Sequence, residues 1–289
     1  MQKTTQLLPY GDQKSSTLNP KSLLYAIDAN GIANWLWHAR CESGEITLAE
    51  ATATWLEEFK KAVRPTHVAL FFDGRNNWRY AAYAEYKSAR KAKPKDEVKI
   101  AALRDNPGDW MSLGIMPLTC EGFEADDCIA SVCESYDGPI IIVSSDKDMM
   151  QLVSDRVKQY DPRPNKEGRN LLYGPDEVEE KLGVPPFRVS ELLAIMGDSA
   201  DSIPGVTGWG KVRAVNAIKQ TKSLPELLRK ASRGELKDID AKHQATLAKE
   251  SQQLSLYLRL TDLRTDAPVP SDIETYKVDY ETKRDDRIA

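Results

Sequence analysis

The sequence predicts an α/β protein in which a parallel-sheet core is followed by a smaller helical module. Three observations carry this. Short aliphatic runs alternate with helix-length stretches through the first half of the chain, and three of those runs lead into Asp. Strand signals then give way to helical ones at about Gly174-Pro175.

The first run, Leu23 to Asp28, follows a polar segment containing Gly11, Ser15, Ser16 and Pro20, so residues 1–21 are expected to be a flexible tail. A helix over Leu48 to Val63 serves as crossover to the second run, His67 to Asp73. Ile115 to Leu118 and Pro139 to Val143 supply two further strands, separated by a helix from about Ala125 to Tyr136. A short hairpin, Val157 to Tyr160 with Asn170 to Tyr173, closes the core at residue 174. The helical module is expected over 175–265, and a charged tail, extended over the surface or disordered, over 266–289.

With 289 residues the chain is long enough for one large domain or a larger and a smaller one. It shows no apolar run suited to a signal peptide or a membrane span, which places it in a cytoplasm with no membrane partner. Cys41, Cys120, Cys128 and Cys133 form no CxxC pair, so thiolate zinc sites and disulfides are not expected. The net charge of −4 conceals an uneven distribution. Residues 75–104 hold nine Lys or Arg against three acids, and residues 205–249 hold ten against four. Two basic regions and a concentrated set of acids are compatible with a polyanionic partner.

The acids are the strongest local signal. Asp28, Asp73 and Asp146 stand at or just past strand ends, where parallel sheets place their ligands. Glu124, Asp126 and Asp127 open a helix, Asp148 follows Asp146, and Asp198 and Asp201 lie in a Met-Gly-Asp turn after the helix Val189 to Met196. A single such group is accounted for by the helix dipole alone. Nine, all beside apolar runs, would repel one another strongly unless cations were shared among them. An all-oxygen donor set without Cys or convergent His selects Mg²⁺ or Mn²⁺, and two such ions suit an in-line phosphoryl displacement. Composition and spacing do not separate a nuclease from a phosphatase.

Six segments taken together resemble the 5′ nucleases, the flap endonucleases and 5′-to-3′ exonucleases of bacteriophages and of bacterial DNA polymerase I amino-terminal domains. They are Ala26-Ile27-Asp28, Phe71-Phe72-Asp73, Arg79 to Arg90, Gly122 to Asp127, Ser144 to Asp148 and Met196 to Gly210, in the family's order over about residues 22–267. The resemblance is to a freestanding, phage-like member. It implies a PIN-like nuclease core over 22–174 with a helical arch at about 79–110, then a helix-hairpin-helix module that binds DNA.

It further implies that Asp28, Asp73, Glu124, Asp126 and Asp127 serve one metal ion and Asp148, Asp198 and Asp201 a second, with Asp146 between them. Lys87 and Arg90 would grip the scissile phosphate, and Tyr86 would be a stacking platform for a terminal base. Arg79 would contact DNA. Residues 91–110 would complete the arch, although Pro94, Pro107 and Gly108 argue against one long helix. Gly205, Gly208 and Gly210 would let backbone N–H groups approach a phosphate, joined by K⁺, with Lys211 and Arg213 adding charge on the following helix.

Two positions depart from the pattern. Asn34-Trp35-Leu36 occupies the place of a family Arg, and Trp209 that of an aliphatic residue, where it would be a larger apolar plug. His38, His67 and His243 are scattered and receive no catalytic role.

The expected activity is thus that of a monomeric, structure-specific 5′ nuclease. It would hydrolyse DNA near single-strand/duplex junctions by a two-metal mechanism in replication or repair. The alternatives are a catalytically silent structure-specific DNA-binding protein, an RNA-directed relative, and a phosphatase of the haloacid dehalogenase type. The last requires Asp two residues after the first, where this chain has Asn30.

Overall fold

The computed structural model describes residues 22–42, 44–88 and 100–281. The expectations for the tail 1–21, for Arg90, for the arch over 89–99 and for the last residues of the C-terminal tail lie outside the described residues.

Six strands form one sheet: β1 (Leu24–Asp28), β2 (His67–Phe71), β3 (Met116–Leu118), β4 (Ile140–Val143), β5 (Val157–Asp161) and β6 (Leu171–Tyr173). Their order is β3-β2-β1-β4-β5-β6, parallel throughout except for the β5–β6 hairpin. The chain therefore runs outward from β1 in one direction and then returns to its other side. That reversal between β1 and β4 opens a crevice beyond their carboxyl ends.

Strands buried on both faces must be apolar at every position, and alternate residues serve different layers. Tyr25, Ile27, Val68 and Leu70 pack with the helices α1 (Ala29–Leu36) and α2 (Leu48–Val63). Leu24, Ala26, Ala69 and Phe71 pack on the opposite face with Ala125, Cys128, Ile129 and Val132. Helix α2 begins with a reciprocal cap between Thr47 and Glu50 and ends at Arg64, whose φ is 50°. Its Phe59 meets Tyr25 edge-on with ring centroids 5.4 Å apart.

Two short helices, α3 (Trp78–Ala82) and α4 (Pro107–Met111), form the two ends of the stretch expected as the arch, and α5 (Ala125–Ser135) precedes β4. The helical module comprises α6 (Pro175–Leu182), α7 (Val189–Met196), α8 (Lys211–Lys219), α9 (Leu224–Ser232), α10 (Ala241–Lys249) and α11 (Ser251–Thr261). Its own apolar core includes Val178, Leu193, Trp209, Leu227, Leu247 and Leu254, with α11 packed along α7.

Of the C-terminal segment, expected to be extended over the surface or partly disordered, the described part packs on the protein. Residues 266–281 return to the sheet: Tyr276 is 1% exposed, and Val278 N–H donates to Thr66 O at 2.9 Å. Lys277 forms an antiparallel bridge with His67 at the start of β2. Buried Ala267, Tyr276 and Val278 are too sparse among charged neighbours to stand out as a pattern. Among the described residues no helix is long and apolar enough to cross a membrane.

Candidate active site

The acids at the strand ends are held by the loops that follow them. Asp28 caps α1, its Oδ1 accepting from Gly31 N–H at 2.8 Å, while Oδ2 accepts from Ser144 Oγ at 2.8 Å. A Cβ at position 31 would lie 2.3 Å from Asp28 Oδ2, so only glycine permits this approach. Burial first, then the neighbouring Asp146 and Asp73, pushes the Asp28 carboxyl up to about 6. Asp73 accepts from Ala125 N–H at 2.9 Å, and its own N–H donates to Asn30 Oδ1 at 3.2 Å. Asp126 is raised well above the ordinary carboxylate range by burial and then by Asp28, Asp146, Glu124 and Asp73. These carboxylates face one another.

The loop after β4 is pinned from below. Fully buried Gln159 on β5 donates from Nε2 to Ser144 O at 2.9 Å and to Asp146 O at 2.6 Å. Ser144 Oγ accepts from Asp146 N–H at 3.0 Å, and Asp146 Oδ1 accepts from Asp148 N–H at 3.0 Å. Neither Gln159 nor Ser144 was expected in the site. Ser144 sits inside the quoted Ser144 to Asp148 motif; Gln159 sends no sequence signal, being one of three polar residues in the strand Val-Lys-Gln-Tyr-Asp.

At the mouth of α5 the structure bears on three expectations. Asp127 is fully buried and receives Arg79 at both oxygens, Nη1 to Oδ2 at 2.7 Å and Nη2 to Oδ1 at 2.8 Å. Trp78 Nε1 and Arg264 N–H also donate to it, at 3.2 and 3.0 Å. With both oxygens on a guanidinium, Asp127 is a buried counter-ion of Arg79. Arg79, expected on DNA, is 1% exposed; it also donates to Glu124 Oε2 at 3.2 Å and to Leu260 O at 2.9 Å, and so cannot reach a solvent-side phosphate. Tyr86, expected to stack on a base, is 1% exposed with its hydroxyl 2.8 Å from Glu124 Oε2 and 3.0 Å from Asp201 Oδ2. Its single proton serves one of them at a time. The exposed ring beside it is Tyr80, edge-on at 5.5 Å.

Two lysines lie among the acids. Lys87, in a left-handed conformation (φ 51°), donates from Nζ to Glu124 Oε1 and lies 4.0 Å from Asp201 Oδ1. Its backbone N–H donates to Asp201 O at 3.0 Å. Burial opposes the charge on Glu124, yet Lys87 and Arg79 hold its carboxyl below the ordinary value. Lys147 Nζ donates to Asp198 Oδ2 and lies 3.2 Å from Asp148 Oδ1. Burial, followed by Asp146, pushes the Asp148 carboxyl up to about 7 despite that lysine.

Asp198 stands in the turn after α7, between N–H···O bonds exchanged with Ile203 at 2.7 and 2.8 Å, and its Oδ1 accepts from Ala200 N–H at 2.8 Å. Gly197 makes the turn possible: its φ is 82°, and an added Cβ would lie 2.6 Å from Pro204 O.

Among the described residues, no three His, Cys, Asp or Glu side chains are assembled as ligands around one point. The donor set nevertheless suits a hard divalent cation. It is all oxygen, burial and neighbouring carboxylates raise Asp28, Asp126 and Asp148, and Asp148 Oδ1 is buried without a hydrogen bond.

In the helical module, Gly205 and Gly208 take φ of 69° and 79°, and Gly210 caps α8 with open space on its Cα. Trp209 is the buried plug expected, 2% exposed, with Nε1 donating to His243 O at 3.1 Å. Thr207 N–H donates to Glu250 Oε2 at 3.0 Å. Lys211 Nζ donates to Lys181 O at 2.8 Å, and Arg213 Nη1 to Gly208 O.

A parallel sheet with facing carboxylates at its switch point, followed by a glycine-hairpin helical module, is the plan of a 5′-directed nuclease, and comparison with known proteins gives the family. Residues 23–183 match the model of the 5′-3′ exonuclease N-terminal resolvase-like domain, and residues 184–284 that of the 5′-3′ exonuclease C-terminal SAM fold. The chain belongs to the 5′-3′ exonuclease family and is a nuclease of it. It is 31% identical to the flap endonuclease Xni of Shewanella baltica over 80% of this chain and 85% of that one. It is 35% identical to DNA polymerase I of Rhizobium leguminosarum over 73% of this chain, which spans only 20% of that protein. Among solved structures it superposes on T5 5′-exonuclease with bound divalent metal ions (zinc), with a TM-score of 0.70 and 22% identity over 84% of this chain and 90% of that one. It also superposes on the catalytic core of Rad2 in complex with DNA substrate, with a TM-score of 0.60 and 16% identity over 89% and 83%.

Proposed function

We propose that this chain is a structure-specific 5′ nuclease, cutting DNA phosphodiesters near single-strand/duplex junctions with two Mg²⁺ or Mn²⁺ ions, in replication or repair. The observation that carries this reading is that Asp28, Asp126 and Asp148 are buried close enough to Asp73, Asp146, Asp198 and Asp201 to be raised by them, with Lys87 reaching Glu124 and Asp201.

Asp28, Asp73, Asp126 and Asp146, supported by Glu124, would hold one ion, and Asp148, Asp198 and Asp201 the other. When bound, the pair supplies positive charge to both the attacking and the leaving oxygen of an in-line displacement. The chain's own groups do the rest. Asp127 and Arg79 fix the position of Glu124, and Ser144 with Gln159 fixes the loop carrying Asp146 and Asp148. Lys87 would pass from Glu124 to a phosphate oxygen of the substrate, stabilising charge that develops there, with Arg90 beside it. The backbone around Gly205, Gly208 and Gly210, with K⁺, Lys211 and Arg213, would take duplex phosphates without reading bases.

The test is cleavage of an end-labelled 5′ flap compared with blunt duplex, single-stranded DNA and RNA, in Mg²⁺, Mn²⁺ or EDTA. Cleavage confined to divalent-ion conditions, strongest on the flap and leaving a 5′ phosphate, is expected. Asp198→Ala should abolish turnover while retaining flap binding. Binding by the wild type without turnover would identify a silent DNA-binding protein instead.

A further inference from the structure

The second group of carboxylates holds a cation supplied by the chain. Lys147 lies between two of its members in sequence and reaches both in space: Nζ donates to Asp198 Oδ2 and stands 3.2 Å from Asp148 Oδ1. The lysine side chain is 35% exposed, whereas those of Asp198 and Asp148 are 6% and 14% exposed, so the ammonium enters the cluster from solvent. It joins the loop after β4 to the turn after α7, which otherwise bring their acids together from segments about fifty residues apart. Two buried carboxylates so close require a compensating charge. A divalent ion on the same oxygens would take over that compensation, and the flexible four-carbon stem of lysine leaves it free to move out.

We propose that Lys147 is an exchangeable internal counter-ion of the second metal site. It holds Asp148 and Asp198 together before the ion arrives, leaves the oxygens when the ion binds, and thereby sets how much divalent ion that site requires. This rests on the reading that Asp148, Asp198 and Asp201 serve a cation. Lys87 is placed differently: it is buried, touches Glu124 and keeps its backbone N–H on Asp201 O, so the two lysines are not interchangeable.

The experiment is a Mn²⁺ titration of the full chain without DNA, followed by calorimetry and by the electron paramagnetic resonance of free Mn²⁺. Wild type, Lys147→Met, Lys147→Arg and Asp198→Ala are compared, with the ion lost in Asp198→Ala defining the second site. Lys147→Met keeps the stem and removes the charge; it should tighten the second site by about tenfold and leave the first unchanged. Lys147→Arg should stay near wild type. In EDTA, Lys147→Met should melt below wild type, and saturating Mn²⁺ should close the gap. Second-site affinity that is unchanged or weaker in Lys147→Met overturns the counter-ion role while leaving the acids as ligands. If Asp198→Ala loses no Mn²⁺ at all, the reading of the acids fails, and the counter-ion with it.

Discussion

At the scale of single residues the site is governed by which carboxylates are already paired. Arg79 and Asp127 share a buried two-pronged contact, and removing one partner strands a charge away from water. Arg79→Ala is therefore expected to cost about 3–5 kcal/mol of stability, read from urea unfolding. A variant of wild-type stability but weaker DNA binding would return Arg79 to the nucleic-acid surface. The sequence could not show this pairing. Arg79 lies in a basic stretch and Asp127 in an acidic one, and only the fold brings positions 48 residues apart to 2.7 Å. Tyr86 was hidden for the same reason: the resemblance implied a stacking platform, and only the fold places Glu124 and Asp201 at its hydroxyl. Asp28, Asp73 and Asp146 were legible, because a buried strand has one way out and its next polar residue must lie at the crevice.

Among the elements, the turn after α7 is the most exacting. Gly197 takes a conformation that side chains resist, with backbone carbonyls where a Cβ would go. Gly197→Ala should displace Asp198 while the surrounding helices persist. Flap cleavage is then expected to fall by about 10²-fold, as when catalytic groups are misplaced by about 1 Å, with far-ultraviolet circular dichroism unchanged. Helices α2 and α7 were readable end to end, Leu48 to Val63 and Val189 to Met196, and in the structure the first begins at a Thr47 and Glu50 cap. Strand β2 was read two residues too long, because Phe72 continues its apolar pattern up to Asp73 after the pairing with β1 has ended at Phe71.

At the scale of the whole molecule, the sheet and the helical module are joined by more than one crossing of the chain. Arg79 reaches Leu260 at the end of α11, and the segment after α11 returns to bury Ala267, Tyr276 and Val278 against the sheet side. Removing everything beyond Thr265 takes those side chains away and exposes the apolar surface they cover, which should lower the melting temperature by about 10 °C or more. An unchanged melting temperature would mean that the segment is the loose appendage its charge pattern suggested. The sequence suggested a segment extended over the surface or partly disordered from Pro268, Pro270 and a charged end, and its anchoring was not legible because only three well-spaced apolar residues, Ala267, Tyr276 and Val278, carry it.

That returning segment has a consequence for how the molecule comes into being. β2 receives its partner at His67 from Lys277, some two hundred residues later in the order of synthesis. While the polypeptide is still emerging from a ribosome, the flank of the sheet that presents Asp73 lacks its final brace, although every acid of the crevice has already been made. Completion of the nuclease thereby waits for the segment around Lys277 rather than for the appearance of its chemical groups.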